Sequence, residues 1–293
     1  MNIKTTAQRV TMALSTALVC VGVAAYGGSS DAAAQAAKPS FAAGTTMEKL
    51  ASADKIRVGV KFDQPGLSQK NLSGALEGFD IEIIKVIAKG LGLDESKVEW
   101  VETSSSNREP FLQQGKVDMI VASYGVNEKR KKVVSFAGPY VTNGQDVMVK
   151  KGNPTGLKDV KGLAGQKTCV INGSEGQAAV EEHSPQADMV GFDVISKCLA
   201  ALKNGSVVGV VTNTHILAGL VAKDPQDFEL LNKPFTSGTW GIGIAHGDTA
   251  FCEFINGELT KAAADGDYQK AWDSTVGKGG LPFRPLPAFE PCA

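Results

Sequence analysis

From residue 56 onward, the chain alternates between two kinds of hydrophobic spacing. Residues 56–61 read as a strand. Residues 79–91 read as a helix, with Ile81, Ile84, Ala88 and Leu91 on one face. Residues 98–102 form a strand pattern, 110–114 a short helix, 117–122 a short apolar strand and 145–149 another strand. A second series follows, with strands over 168–171, 189–192 and 207–211 and helices over 175–182, 194–203 and 214–222. A strand pattern over 241–245 and helices over about 249–264 and 268–275 lead into a proline-rich tail. Strands alternating with helices predict βαβ units, an α/β class and mostly parallel sheet. The two series share one layout, and a strand lies at each junction, near Gly144 and near Gly241. That layout predicts two lobes, 46–143 with 242–293 and 144–241, joined by two crossings. The default ligand site is then the cleft between them, lined by loops at strand ends.

The first 45 residues stand outside this pattern. Lys4 and Arg9 precede the apolar, small-residue run 10–25, and an Ala/Gly/Ser-rich stretch follows. The spacing predicts a secretory signal over 1–25 and a flexible linker over 26–45, with an exported product acting at the outer face of the cell membrane. Val23-Ala24-Ala25 followed by Tyr26-Gly27-Gly28 has the outline of a lipoprotein box, but Tyr26 stands where the acylated cysteine belongs. Plain cleavage after Ala25 is therefore expected rather than a lipid anchor.

Composition narrows the classes. Hydrophobic residues make up 43% and charged residues 21% of the 293, which suits a soluble globular chain of about two domains. The net charge of −1 offers no basic face for nucleic acid. The three histidines are scattered, and no CxxC or HExxH is present, so no metal site and no cofactor are expected. Setting Cys20 aside, Cys169, Cys198, Cys252 and Cys292 remain. An even number in an exported chain suggests two disulfides. Three pairings are possible. Cys169–Cys198 joins a strand to a nearby helix and Cys252–Cys292 ties down the tail, so these are favoured over the other two arrangements.

The stretch 114–140, QGKVDMIVASYGVNEKRKKVVSFAGPY, carries the clearest candidate chemistry. It places a buried-type strand before a loop and sets Arg130 at the next turn. Loop N–H groups and a planar guanidinium fork aimed at one point suit a carboxylate.

Several segments together resemble the family 3 extracellular solute-binding proteins, the amino-acid receptors of ABC importers, and most of all their glutamate/aspartate-binding branch in Gram-positive bacteria. The segments are IRVGVKFDQPG (56–66), GFDIEI (78–83), NREPFLQQGKVDMIVAS (107–123), NEKRKKVVSFAGPY (127–140), INGSEG (171–176), CLAALKNG (198–205), TNTHILAGL (212–220) and GIGIAHGD (241–248). Most are weak singly; their order and spacing over 47–277 are specific. The resemblance implies a type II, two-lobed periplasmic-binding-protein-like fold that closes on a small ligand and then docks on a membrane permease as a monomer. It implies that Arg130 clamps the ligand's α-carboxylate, with Ser123 and Gly125 as loop donors. Ser174 falls at the anion-binding turn of the second lobe. Lys61 and Arg108 match the cations that hold a side-chain carboxylate, and Phe62, Gln64, Tyr124 and Trp240 are candidate cleft walls.

Three positions depart from the family pattern. Asn213 replaces the aspartate that holds the ligand's ammonium group. Gly125 stands where Thr or Ser is usual, and Glu175 stands where Thr is usual. Either Glu175 supplies the missing negative charge, or the ligand lacks an ammonium and is a dicarboxylate. An acidic amino acid is the expected ligand. A dicarboxylate, another polar amino acid or a sensing role without transport are the alternatives. No catalytic residue is expected. A dehydratase on the same fold needs a poised acid or base, and Glu175 is the one candidate. Gly241-Ile242-Gly243 lacks the third glycine of a dinucleotide loop, and 162–168 leads into a strand rather than a helix, unlike a phosphate loop.

Overall fold

The computed structural model describes residues 39–293. The expected signal segment 1–25, the cleavage point after Ala25, the lipobox position Tyr26 and most of the 26–45 linker lie outside the described residues.

Two five-stranded sheets organise the chain. The first runs, in spatial order, Val98–Glu102, Ile56–Val60, Met119–Ile120, Gly238–Ile244, Ser135–Asn143. The second runs Asp188–Phe192, Lys167–Ile171, Gly209–Asn213, Gln145–Lys150, Phe228–Leu230. In both, the first two pairings are parallel and the last two antiparallel. The sheets are therefore mixed, where the alternation of elements predicts mostly parallel ones. Helical crossovers enforce parallel pairing only on one side of each sheet, and the strands that run between the lobes add the antiparallel pairs. The closing helices Thr249–Ala264 and Asp267–Ser274 pack on the first lobe, against Ser135–Asn143 and the helix Phe79–Gly90.

The strand Ser135–Asn143 is absent from the sequence reading, because Gly138-Pro139 in its middle looks like a break. It lies at the sheet edge, where a proline's missing N–H costs no ladder bond. The expected strand over 117–122 shrinks to Met119–Ile120. Its start is held instead by Asp118, whose carboxylate accepts from the backbone N–H, Nε and Nη2 of Arg57. Its end is cut off by Ser123, which takes a left-handed φ of 47°.

A buried carboxylate fixes that turn. Asp80 enters from the first turn of Phe79–Gly90 and is fully buried. Its Oδ2 accepts from Ser123 N–H at 3.0 Å and its Oδ1 from Tyr140 Oη at 2.8 Å. The Tyr140 carbonyl accepts from Tyr268 Oη at 2.8 Å. One chain of bonds thus joins the helix Phe79–Gly90, the loop after Met119–Ile120, the edge strand and the closing helix Asp267–Ser274. Burial pushes the Asp80 carboxyl up to about 6 against the pull of its donors.

The two crossings run side by side. Asn143 ends a strand of the first sheet and Gln145 begins one of the second. The return passes through 235–238: Phe235 N–H donates to the Gln145 carbonyl at 2.9 Å, Gln145 N–H to Thr236 Oγ1 at 2.9 Å, and Gly238 pairs with Asn143. Gly144 sits between them, where a Cβ would lie 2.5 Å from the Thr236 carbonyl oxygen, so a side chain there would push the crossings apart.

Both favoured disulfides form. Cys169 in Lys167–Ile171 bonds Cys198 in Ile195–Lys203, with Cα atoms 5.6 Å apart. Cys252 in Thr249–Ala264 bonds Cys292 in the tail, at 5.8 Å. Near that second bond Glu290 N–H donates to the Gly138 carbonyl.

Two stability outcomes are expected. Asp80→Ala strands the Ser123 N–H and the Tyr140 hydroxyl in the core and should lower the urea unfolding free energy by about 2–4 kcal/mol. Replacing Cys252 and Cys292 together by serine frees a 40-residue separation and should cost about 4 kcal/mol in the same measurement.

Candidate functional site

Three buried cations of the first lobe face the second. Lys61 follows the strand Ile56–Val60 and is 7% exposed. Its Nζ donates to Ser105 Oγ at 3.1 Å, and its carbonyl accepts a short bond from Ser68 Oγ. Burial first, then the nearby Arg108 charge, lowers its pKa to about 7. Arg108 begins the helix Arg108–Gln113 and is 2% exposed. Its Nε donates to the Ser105 carbonyl at 3.2 Å, its Nη1 to those of Ala122 and Ser123 at 3.3 and 3.4 Å, and its Nη2 to Gly173 at 3.4 Å. Burial, then Arg130, lowers its pKa to about 10, so it stays charged.

Arg130 sits in the turn of helix Glu128–Lys131, whose start is capped by the Asn127 side chain. Its Nε donates to Glu109 Oε1 at 3.0 Å, its Nη1 to the Gly125 carbonyl at 2.7 Å and its Nη2 to the Gly173 carbonyl at 2.9 Å. Both guanidinium groups rest on the Tyr124 ring, 4.3 Å away for Arg108 and 5.2 Å for Arg130. Every donor face of Arg130 therefore meets a protein acceptor in this structure. Ser123 is committed too, with its N–H on Asp80 and its hydroxyl on Gln64 Oε1 at 2.7 Å.

The second lobe answers with the turn 172–174 and the helix Glu175–His183. Ser174 caps that helix, its Oγ accepting from Gln177 N–H at 3.2 Å. The Gly173 carbonyl receives both arginines, so the lobes touch through protein groups directly. Asp63 adds a second contact, its Oδ2 accepting from Ser196 N–H at 3.0 Å at the start of Ile195–Lys203. Asn213 donates its Nδ2 to Asn143 Oδ1 at the crossing, at 2.9 Å. The Glu175 carboxylate lies over Gly125: a Cβ built on Gly125 would fall 1.8 Å from Glu175 Cδ. Burial pushes the Glu175 carboxyl up against the pull of Arg130, Arg108 and the Asn213 amide.

Two spaces flank this contact. A cavity of about 20 Å³ is lined by Lys61, Gln64, Arg108, Ser123, Ser174, Glu175 and Asn213, among others. It holds about one water, so the lobes are closed. A wider groove of about 750 Å³ is lined by Arg130, Glu109, Asn127, Gly173, Ser174 and Glu175, among others. The structure thus gathers Lys61, Arg108, Ser123, Ser174, Glu175 and Asn213 around one small space and puts Arg130 at its outer side. Gly125 lines neither space, because Glu175 covers it.

Three of the expected walls are not walls. Trp240 is fully buried against Tyr140 and His215, and Tyr124 lies beneath the arginines, so both are core. Phe62 packs under the Lys70 ammonium at 5.3 Å and lines neither space. Sequence reasoning missed the Gly173 carbonyl, Asp63, Asp80, Glu109 and Asn143. Asp63 and Glu109 carry a faint signal, since each is an acid within two residues of a candidate cation; a backbone carbonyl carries none.

Among the described residues no group of His, Cys, Asp and Glu is arranged to hold a metal, and no helix is long and apolar enough to cross a membrane.

Comparison with known proteins agrees with this geometry. The chain is 36% identical over 233 residues to the ABC transporter glutamine-binding protein GlnH of Bacillus subtilis (strain 168), covering 79% of this chain and 84% of that one. It is 32% identical over 233 residues to the glutamate-binding protein GluB of Corynebacterium efficiens, covering 76% and 79%. Among solved structures, the solute receptor for L-cysteine of Neisseria gonorrhoeae superposes with a TM-score of 0.74 at 28% identity, covering 79% of this chain and 93% of the other. The sequence pattern of one family matches residues 56–277, the span that builds both sheets and the facing cations. The chain belongs to the bacterial extracellular solute-binding proteins, family 3.

Proposed function

We propose that this protein is the extracytoplasmic receptor of an ABC importer and that its ligand is an acidic amino acid of about glutamate size. One observation carries the choice of an acid. Lys61 and Arg108 face the interlobe cavity, and among the described residues no carboxylate lies within salt-bridge distance of either. Two buried cations without a bonded counter-charge are costly, and a ligand carboxylate would offset that cost. Arg130, at the outer side, is assigned the α-carboxylate. Asn213, with its Nδ2 on Asn143, keeps its carbonyl oxygen as an acceptor for the ammonium. The relatives named for glutamine and glutamate support a ligand of this size.

Function follows from closure. A ligand that contacts both lobes favours the closed state by the difference in its contacts, and the closed monomer is the form a permease would read. The moving lobe in this reading is 144–237 rather than the expected 144–241, because Gly238–Ile244 is a strand of the first sheet, and it pivots on the paired crossings. No cofactor and no chemical conversion is part of it.

Titration calorimetry with the mature protein tests the ligand. Heat from glutamate or aspartate is expected. Heat from succinate alone would assign the site to a dicarboxylate, and heat from glutamine alone would deny Lys61 and Arg108 a carboxylate partner.

The second outcome concerns pH. The groups facing Lys61 are Arg108 and Arg130, which lower its pKa, and Asp63 and Glu102, which raise it. An anionic ligand binds the protonated form and raises its pKa above the free value of about 7. Affinity for glutamate is then full below pH 7 and lost as pH rises through it, by about tenfold from pH 6 to pH 8. Binding near pH 8 should take up about one proton, read from heats in buffers of different ionisation enthalpy. An affinity flat across that range would remove Lys61 from the ligand contact.

A further inference from the structure

The two departures Gly125 and Glu175 meet in space. Gly125 has no positive φ that would demand glycine, so its backbone tolerates a side chain. What excludes one is Glu175: Cδ, Oε1 and Oε2 would lie 1.8, 2.0 and 2.1 Å from an added Cβ. The acid of the second lobe therefore fills the space that a Thr or Ser at 125 would occupy in the first. Its Oε2 is sealed from solvent with no hydrogen-bond partner among the described residues. Glu175 also lines both the small cavity and the outer groove, so its side chain is part of the wall between them. The Gly125 carbonyl beneath it is the one that holds Arg130 Nη1.

We propose that Glu175 is a tethered carboxylate that competes with the ligand's own for the Arg108–Arg130 surface, holding the lobes together without ligand and setting the affinity of the cleft. Its first half stands on the Gly125 contact alone. Its second half rests on the reading above that Arg130 receives a ligand carboxylate. On opening, Glu175 leaves with the second lobe and takes its charge out of the field of Arg130 and Arg108, with neither of which it forms an ion pair, and the ligand's carboxylate supplies that charge instead. The structure thereby supplies a covalently attached rival at high local concentration, which raises the ligand level needed to fill the cleft.

The test uses the mature protein and two independent substitutions. Gly125→Ala puts a methyl where the Glu175 carboxylate sits, and Glu175→Gln keeps the size and removes the charge. The first readout needs no ligand: the distance between spin labels on Lys89 of the first lobe and Lys203 of the second. We expect a predominantly short distance in the wild type and a shift to a longer one in both variants, with no further shift when they are combined. The second readout is calorimetry with glutamate, in which Glu175→Gln should bind about tenfold tighter. A wild-type distance distribution unchanged in both variants would overturn the clamp. Weaker glutamate binding in Glu175→Gln would make the acid the ammonium's partner and overturn the competition. Failure of every amino acid and dicarboxylate to bind would sink the reading of the ligand and the competition drawn from it, while the label distances would still decide whether Glu175 holds the lobes.

Discussion

Burying positive charge at the junction of two lobes is the constraint from which the site follows. Lys61, Arg108 and Arg130 lie together in a region that excludes water, so each raises the cost of the others. The protein meets that cost unevenly. Arg130 has Glu109 and two carbonyls, Arg108 has carbonyls and an aromatic face, and Lys61 has one hydroxyl. The imbalance is a store of electrostatic free energy that a ligand carboxylate can release. In the proposed reading, closure and ligand choice are two consequences of one unsatisfied charge distribution.

The surrounding fold supplies rigidity where that distribution needs it. Asp80 holds Ser123 in a left-handed turn, which fixes the backbone running from Ala122 to Gly125 and so the carbonyls that Arg108 and Arg130 use. The crossings at Gly144 and at 235–238 are paired to each other, so the lobes share a narrow two-stranded connection. Asn143 on that connection bonds Asn213 at the cleft, placing a hinge residue in direct contact with a candidate ligand residue. The Cys169–Cys198 bond stiffens the second sheet against its helix, and Cys252–Cys292 anchors the tail to the first lobe.

Much of this was legible in the chain. The two βαβ series carry clear spacing, because strands and helices there bury regular faces. The cysteine pairing followed from where the strand and helix patterns put each residue. The edge strand Ser135–Asn143 was not legible, since its glycine and proline mimic a turn and only its place at the sheet edge makes them tolerable. The mixed pairing of the sheets was hidden for a related reason: pairing direction depends on which strands cross between lobes. By sequence Trp240 and Tyr124 are candidate walls, but aromatic residues look alike in sequence whether they face a ligand or a core.

By itself the sequence determined the order of the regularly spaced elements, the family and the identities of the charged groups, because local spacing and residue type are properties of the chain. It also showed three substitutions, Gly125, Glu175 and Asn213, as separate oddities. Only the tertiary structure decided that Gly125 and Glu175 are one feature, since residues fifty positions apart become neighbours only when the lobes meet. It also decided that the donors of Arg130 and Ser123 are already taken by protein acceptors. Hydrogen bonding saturates and packing excludes, and both depend on distances that no linear pattern contains.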